Sequence, residues 1–543
     1  MEFEIYDSAH LPVIAHFCDR LKIKNIADES LPWDRSQWEI SPGTVIKGII
    51  IDALSGRSPL YRMNEFFETT DIKHLLGQGV EASHFNDDRL GRTLDIIYKH
   101  GATRLFGDIV ISAINEFHLD LKMIHADTTS KSVYGDYKHQ NPNSIDITYG
   151  FSKDKRPDLK QLLFGVVTTQ DKVPIYANVT HGNTDDKTWN NNLLNIIQKK
   201  LVGVDLSKVT YVADSAVVTK ENLTTIAGLP LNLISRFPET FSLCHDLIER
   251  AVRDNVWEDI GKLSTRTGSA SYKINSYIEE LYGLKYRFVV VYSDKHNERK
   301  LKSLSKKIKK EHTRLLKLNE KPALFHCEKD AHDALLSTIK STTFWNVTGQ
   351  VQVVKIMKKR NKRGRRPKNA VVEYDTFYKV QYKITENDSK IKCEQQKAGM
   401  FVLITSDHNE LCDKRILVEY KGQISVEQTF KFLKSPMIVD RLFLKNNSRI
   451  EALGYLMLIA LMVWTLMERE VRQNISEPLI GPGKIKMIKP TAWAIMMMLS
   501  SLKIIVYNNN NHFSRNFANP PTENQLKCLA LLGMPPEKYL VLF

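Results

Sequence analysis

The chain has 543 residues, 42% of them hydrophobic, and carries 77 Lys plus Arg against 62 Asp plus Glu, for a formal charge of +15. A length of this kind holds roughly three or four folding units, and the positive excess points to a polyanionic partner, either nucleic acid or an anionic membrane surface. Six scattered cysteines without a Cys-x2-Cys pair indicate neither a zinc module nor a disulfide framework.

The first 118 residues read as helices. Ser41-Pro42 is a helix-start signal, and Val45, Ile46, Ile49, Ile50 and Leu54 follow at helical spacing. A second helix is expected after Asn86-Asp87-Asp88 and a third over Ala102 to Phe117. Short helices joined by turns suit a helix-turn-helix DNA reader, and they equally suit a scaffold. Met1-Glu2-Phe3-Glu4 lacks the basic and apolar regions of a signal peptide, so a reducing cytoplasmic compartment is expected.

Beyond Leu119 the pattern becomes α/β. Leu121 to Asp127 reads as a short strand ending in an acid, and Leu162 to Thr169 with Val173 to Val179 as a hairpin turned at Gln170-Asp171-Lys172. A helix over Lys187 to Leu201, a strand over Lys208 to Ala213 ending at Asp214, another helix, and a strand over Leu231 to Ser235 complete a sheet of mixed direction. From Arg236 to Met400 the alternation stops and an inserted subdomain, mainly β, is expected. It contains a very basic helix with the seam Leu301, Leu304, Ile308, Leu315 and Leu318, and strands over Tyr286 to Tyr292, Val351 to Met357, Val371 to Tyr374 and Tyr378 to Ile384. Its turn holds Lys358, Lys359, Arg360, Lys362, Arg363, Arg365, Arg366 and Lys368 with no acid, and reads as an arm contacting phosphates or as a solvated loop. A strand over Phe401 to Thr405, a helix through Lys434, a long apolar helix over Ile450 to Val471 and a helical segment near Thr491 to Ile505 close the chain. The apolar stretch Ala452 to Met467 is shorter than the ~20 residues that span a bilayer, so it reads as a buried helix and no membrane partner is expected.

Cutting phosphodiesters with two divalent ions requires carboxylates converging on one point, because hard cations prefer oxygen ligands. Asp127 and Asp214, each expected at the carboxyl end of a strand, meet that need if their strands are parallel neighbours; taken singly, each also reads as a cap or turn residue. Tyr420, Gln423, Glu427, Lys431 and Lys434 recur every three or four positions, which on one continuous helix sets an acid among basic and polar side chains. Read alone, Glu427 and Lys431 also fit an exposed i,i+4 pair.

The segment from Tyr420 to Lys434 resembles the DDE transposases of bacterial insertion sequences, in the superfamily whose last acid lies in a Tyr-x2-Arg-x3-Glu-x6-Lys signature. Tyr420, Glu427 and Lys434 match at that spacing, and Gln423 stands where the family has Arg. Gly150 to Gln161, His181-Gly182-Asn183, Val212-Ala213-Asp214-Ser215-Ala216 and Lys431-Phe432-Leu433-Lys434 resemble the long branch with a helical N-terminal domain, so that the likeness extends from about residue 40 to 470. The resemblance implies an RNase H-like core with Asp127, Asp214 and Glu427 as a metal-binding triad for two Mg²⁺ ions, which Mn²⁺ replaces. It implies cleavage at transposon ends followed by joining of the 3′ ends to target DNA, by a homodimer or larger oligomer associated with a bacterial nucleoid. Tyr420, Gln423, Lys431 and Lys434 would hold DNA. The expected organisation is a helical DNA-binding domain over 1–118, the core over 119–235 and 401–475, the mainly β insertion over 236–400 and a helical region over 476–543. A metal nuclease without strand transfer, or a repurposed transposase that only binds DNA, is the alternative.

Overall fold

The computed structural model describes residues 2–541 except 57, 139–142, 201–205, 265–266, 359–371, 409, 435–443 and 510–511. Of the basic arm only Lys358 is described; Lys359, Arg360, Lys362, Arg363, Arg365, Arg366 and Lys368 lie outside the described residues. The chain divides into two compact units, one of residues 1–236, 405–407 and 418–543, the other of 237–404 and 408–417.

The first unit opens with strand β1 (Glu2–Tyr6) and helices that include Leu11–Arg20, Pro42–Leu54, Asp87–His100 and Ala102–Phe117. Their starts follow the expected caps: Ser41 Oγ accepts from Thr44 N at 3.2 Å, and Asn86 Oδ1 from Arg89 N at 3.0 Å. These helices pack with the 28-residue helix Asn447–Asn474, which also lies on the sheet strand Pro174–Thr180. It is long and apolar enough to cross a membrane, but 89% of its apolar window is buried inside the protein. It is therefore a core element: Gly454 is where it approaches the sheet, since a Cβ there would stand 2.9 Å from Val179 Cγ2. Each of its enclosed leucines contributes about 1.5–3 kcal/mol relative to exposure.

The sheet of this unit comprises β2 (Met123–Val133), β3 (Lys160–Thr169), β4 (Pro174–Thr180), β5 (Thr210–Ala213) and β6 (Asn232–Arg236), in the order β4-β3-β2-β5-β6. The pairs β2–β3 and β3–β4 are antiparallel, whereas β2–β5 and β5–β6 are parallel. The strand β2 is longer than expected. Asp127 lies inside it, because Thr128 to Val133 continue the pairing with β3 after the parallel partner β5 has ended at Ala213.

Two further differences lie at the C-terminal end. The segment near Thr491 to Ile505 is a helix only over Ala492–Leu499. The β-branched and aromatic run Ile504 to Tyr507 then forms the strand Ile504–Asn509, which pairs antiparallel with β1 and with His512–Phe517. Pairing with a strand some 500 residues earlier is invisible to local pattern.

The second unit holds β7 (Glu258–Lys262), β8 (Ser271–Leu281) and β9 (Leu284–Ser293) as an antiparallel meander, and β10 (Trp345–Met357) with β11 (Tyr374–Glu386) as a long two-stranded ribbon. It is not mainly β. Helices Ser242–Asp254, Asp294–Glu320, Glu328–Lys340 and Asp388–Lys397 make up as much of it as the strands do. The helix Glu328–Lys340 packs on the ribbon through Ala331 and Leu335 against Val380, and that apolar contact sets its orientation.

Candidate active site

Parallel pairing brings two of the expected acids together. In the β2–β5 register Ala126 is opposite Ala213, so Asp127 and Asp214 follow the last paired position on neighbouring strands. Asp214 also caps the short turn Ser215–Val217, its Oδ1 accepting from Ala216 N at 3.1 Å. Its strand end is fixed by Ser235 Oγ, which donates to the Asp214 carbonyl at 2.8 Å. The reading of this residue as a turn former and its reading as a functional acid are thus both satisfied by one side chain.

A third acid and a cation join them that the sequence reading did not single out. Asp186 stands in the first turn of the helix Asp186–Lys200, while its neighbour Asp185 takes the capping work by accepting from Lys187 N and Thr188 N, both at 2.9 Å. The helix is held to the sheet at two points. Trp189 lies over Gly165, where a Cβ would come within 2.0 Å of its Nε1, and the Tyr211 hydroxyl donates to Asn190 Oδ1 at 2.6 Å. Lys153 Nζ donates to the Thr128 carbonyl at 2.8 Å and to Asp186 at 3.2 Å, and lies 3.9 Å from Asp127 Oδ1. Thr128 Oγ1 donates to the same Asp186 carboxylate. The signal available in the sequence was the doublet Asp185-Asp186 just beyond His181-Gly182-Asn183: a helix start needs one capping acid, and the second had no structural use.

Burial decides the charge state of this cluster. It pushes the Asp127 carboxyl up to about 7, against the pull of Lys153 and with added repulsion from Asp214 and Asp186. Asp214 is raised as well, first by burial and then by Asp186. Enclosed carboxylates this close together hold protons tightly unless cations offset them, and the Lys153 ammonium supplies part of that offset.

The signature segment is not one helix. Asp413–Gly422 and Ile424–Lys434 are separate helices that meet at Gln423, with tight i→i+3 bonds from Gln423 N to the Tyr420 carbonyl (3.2 Å) and from Val426 N to the Gln423 carbonyl (3.0 Å). Gly422 marks the break: a Cβ there would stand 3.2 Å from the His125 ring. The expectation of one continuous helical face through Tyr420, Gln423 and Glu427 is therefore corrected. Tyr420 still links the parts. Burial raises its phenol, Arg236 opposes that through charge and a hydrogen bond, and Asp214 and Glu427 both add to the rise, so Tyr420 lies within electrostatic reach of the two acids. Glu427 and Lys431 are exposed, and Gln423 is half-buried. Lys434 Nζ pairs with Asp154 Oδ1 at 2.5 Å, which ties the end of the second helix to the loop that carries Lys153. Among the described residues no group of three or more His, Cys, Asp or Glu side chains is set to hold a metal ion.

Of the remaining candidates, His181, Asp158 and Trp345 have structural partners, and His125 has none for either ring nitrogen among the described residues. His181 Nδ1 accepts from Asp146 N at 2.9 Å, and Asp158 pairs with Arg156 at 2.7 Å. His125 is fully buried, and burial lowers its ring to about 4. In the second unit Trp345 stacks on His312 with ring centroids 4.2 Å apart and donates to the Ile308 carbonyl at 3.3 Å.

Residues 3–111 match a family described as "Domain of unknown function (DUF4277)". No curated protein matches the chain. The cryo-EM structure of the piggyBac transposase synaptic complex with hairpin DNA is similar at 8% identity and a TM-score of 0.38, over 90% of this chain and 79% of that chain. That likeness is too slight to carry fold or function across.

Proposed function

We propose that this chain is a DDE-type DNA transposase of the insertion-sequence kind, with Asp127, Asp214 and Glu427 as its acids in an RNase H-like core. One observation carries the reading: Asp127 and Asp214 emerge together from the adjacent parallel strands β2 and β5, half-buried, with the cation Lys153 3.9 Å from Asp127. A meander followed by parallel crossovers, with the acids where the parallel pairing ends, supports such a core. The net charge of +15 supports DNA as the partner.

Asp127 and Asp214 offer the oxygen donors that Mg²⁺ prefers, and the exposed Glu427 would have to close on them to complete the set. Hard divalent cations prefer carboxylate oxygens, and the place already suits positive charge, since the Lys153 ammonium lies 3.9 Å from Asp127 and 3.2 Å from the neighbouring Asp186. Asp127 and Asp214, with Glu427 completing the set, would hold a divalent ion, which would polarise the scissile phosphate and activate water. The chain's own residues do the rest. Asp127 and Asp214 bind in their ionised forms and so release protons on loading, Lys153 lowers the repulsion between them, and the Lys434 to Asp154 pair holds the Glu427 helix against the Lys153 loop. Transposon ends and target DNA are the substrates, and the active form is a dimer or larger oligomer, because two ends must be cut and joined.

The exposure of Glu427 favours one second reading, a transposase-derived protein that binds DNA without cutting it. Single-turnover cleavage with Mg²⁺ on the DNA that flanks the coding region separates the two. Cleavage abolished in Asp127→Asn and Asp214→Asn supports the transposase, and no cleavage by the wild-type chain with intact DNA binding supports the second reading. Joining of the freed 3′ ends to a plasmid target distinguishes a transposase from a nuclease.

A further inference from the structure

The second unit contains a charged surface outside the acidic cluster and the signature helices. The helix Asp294–Glu320 runs for 27 residues, or about 40 Å at 1.5 Å per residue. Its apolar seam, Leu301, Leu304, Ile308 and Leu315, turns into the protein, with Leu315 fully buried. Arg299, Lys302, Lys306, Lys310 and Lys317 follow at i, i+3, i+7, i+11 and i+18, which at 100° per residue sets them in a stripe opposite that seam. All five are exposed.

The helix's acids leave most of this stripe uncompensated, since only the terminal Glu320, three residues after Lys317, falls on the same side. Asp294 accepts from Ser271 N at 2.9 Å, Glu298 pairs with Lys295 at 2.9 Å, and Glu311 accepts from Thr343 N at 2.7 Å. Among the described residues none of the five stripe cations has an ion-pair partner. A row of like charges held rigid on one helix repels itself in the free protein, and a linear polyanion relieves that repulsion.

We propose that this stripe is a binding track for the phosphate backbone of duplex DNA. The choice of DNA over a lipid surface follows from which face is free. A helix lying in a membrane interface immerses its apolar face in lipid, whereas here that face packs inside the protein and the open side is cationic. The track rests on the reading of the chain as a DNA-acting protein, and it adds to that reading a surface that none of the candidate site residues includes. Contacts to phosphate give affinity and orientation without reading sequence, so the track binds any duplex alike.

The test uses the full chain, a 30-base-pair duplex of arbitrary sequence and anisotropy titrations over a range of KCl. Replacing all five residues by Gln removes charge, and the charge-keeping set R299K, K302R, K306R, K310R and K317R preserves it. The Gln set is expected to bind at least about tenfold more weakly near physiological salt, with the log–log salt slope reduced by about 0.9 for each phosphate no longer neutralised, hence up to about 4.5 in all. The charge-keeping set is expected to retain the wild-type slope. An unchanged slope in the Gln set overturns the track. So does a Gln set that keeps duplex binding but no longer binds phosphatidylserine vesicles. The outcome is separable from that of the cleavage reading: a chain that cleaves nothing yet has a flattened salt slope in the Gln set keeps the track and refutes the transposase, and cleavage with an unchanged slope does the reverse.

Discussion

The two units handle charge in opposite ways. In the first, Asp127, Asp214 and Asp186 are drawn into a partly enclosed cluster where burial raises the carboxyls and a single ammonium offsets them. In the second, a helix lays five exposed cations along its outer side with no acid paired to them among the described residues. Enclosure makes each charge depend on its particular neighbours, so one substitution should change everything at that place. Exposure leaves each charge screened and interchangeable, so effects there should add and should weaken with salt.

The sharpest way to break that contrast is at the carboxylates. Asp127→Asn and Asp214→Asn are each expected to reduce cleavage by about 10³-fold or more while changing duplex affinity by less than about twofold. Single-turnover kinetics with a parallel binding titration checks this, and a partial loss of the kind seen on an exposed surface would show that the cluster is not the reacting centre.

Lys153 tests whether the offset is specific. Lys153→Met removes the cation beside Asp186 and Asp127 and leaves the buried Thr128 carbonyl without its 2.8 Å donor. The expected cost is about 1–3 kcal/mol of stability, together with a shift of the acid limb of the cleavage–pH profile to higher pH, since Asp127 would hold its proton longer. Chemical denaturation and a pH series measure both. Lys153→Arg should recover most of the stability.

A pH dependence follows from Asp127 with its sign fixed. Its carboxyl sits near 7 in the folded chain against about 3.9 when unfolded, so between these values the folded state holds a proton that the unfolded state has released. This contribution to stability is complete below about pH 4 and is lost as pH rises through 7. Asp127→Asn lacks the dependence. Its melting temperature relative to wild type should therefore rise from pH 4.5 to pH 8, by roughly 1 °C for each kcal/mol recovered in a unit of this size. A constant offset across that range would mean that Asp127 ionises as freely as a surface acid.

The smallest expected effect is at Gln423, half-buried where the two signature helices meet. An arginine there gains charge and two-pronged donation toward a phosphate. Because the helices break at this residue, Gln423→Arg should raise end affinity and cleavage rate by only about two- to fivefold, and Gln423→Ala should lower both by a similar factor. A fall in both for Gln423→Arg would show that the bend is built around the amide.

Local chemistry was legible in the sequence. Ser41 and Asn86 announced helix starts because a side-chain oxygen must satisfy the free N–H groups of a first turn. The apolar runs on either side of Gln170-Asp171-Lys172 announced β3 and β4, and the apolar stretch Ala452 to Met467, shorter than the ~20 residues that span a bilayer, announced a buried helix. Strand direction and strand length were decided by partners. Asp127 was placed at the end of a strand that in fact runs on to Val133, because β3 supplies hydrogen bonds beyond the point where β5 stops. The pairing of β1 with Ile504–Asn509 needed both ends of the chain in place.

The candidate site divides along the same line. Asp127 and Asp214 could be named from sequence, since each is an acid directly following apolar strand residues. That they face a common place depended on parallel pairing in one register, and a slip of one residue would have turned one of them to the other side of the sheet. Asp186 and Lys153 belong to the cluster only because Trp189 seats a helix over Gly165 and a loop folds back over Thr128. The sequence by itself determined which groups can ionise and most of the helices and strands, because those follow from each residue and its near neighbours. Which charges meet, and which are buried enough to keep their protons, only the tertiary structure decided, because contact and desolvation are properties of atoms brought together from distant parts of the chain.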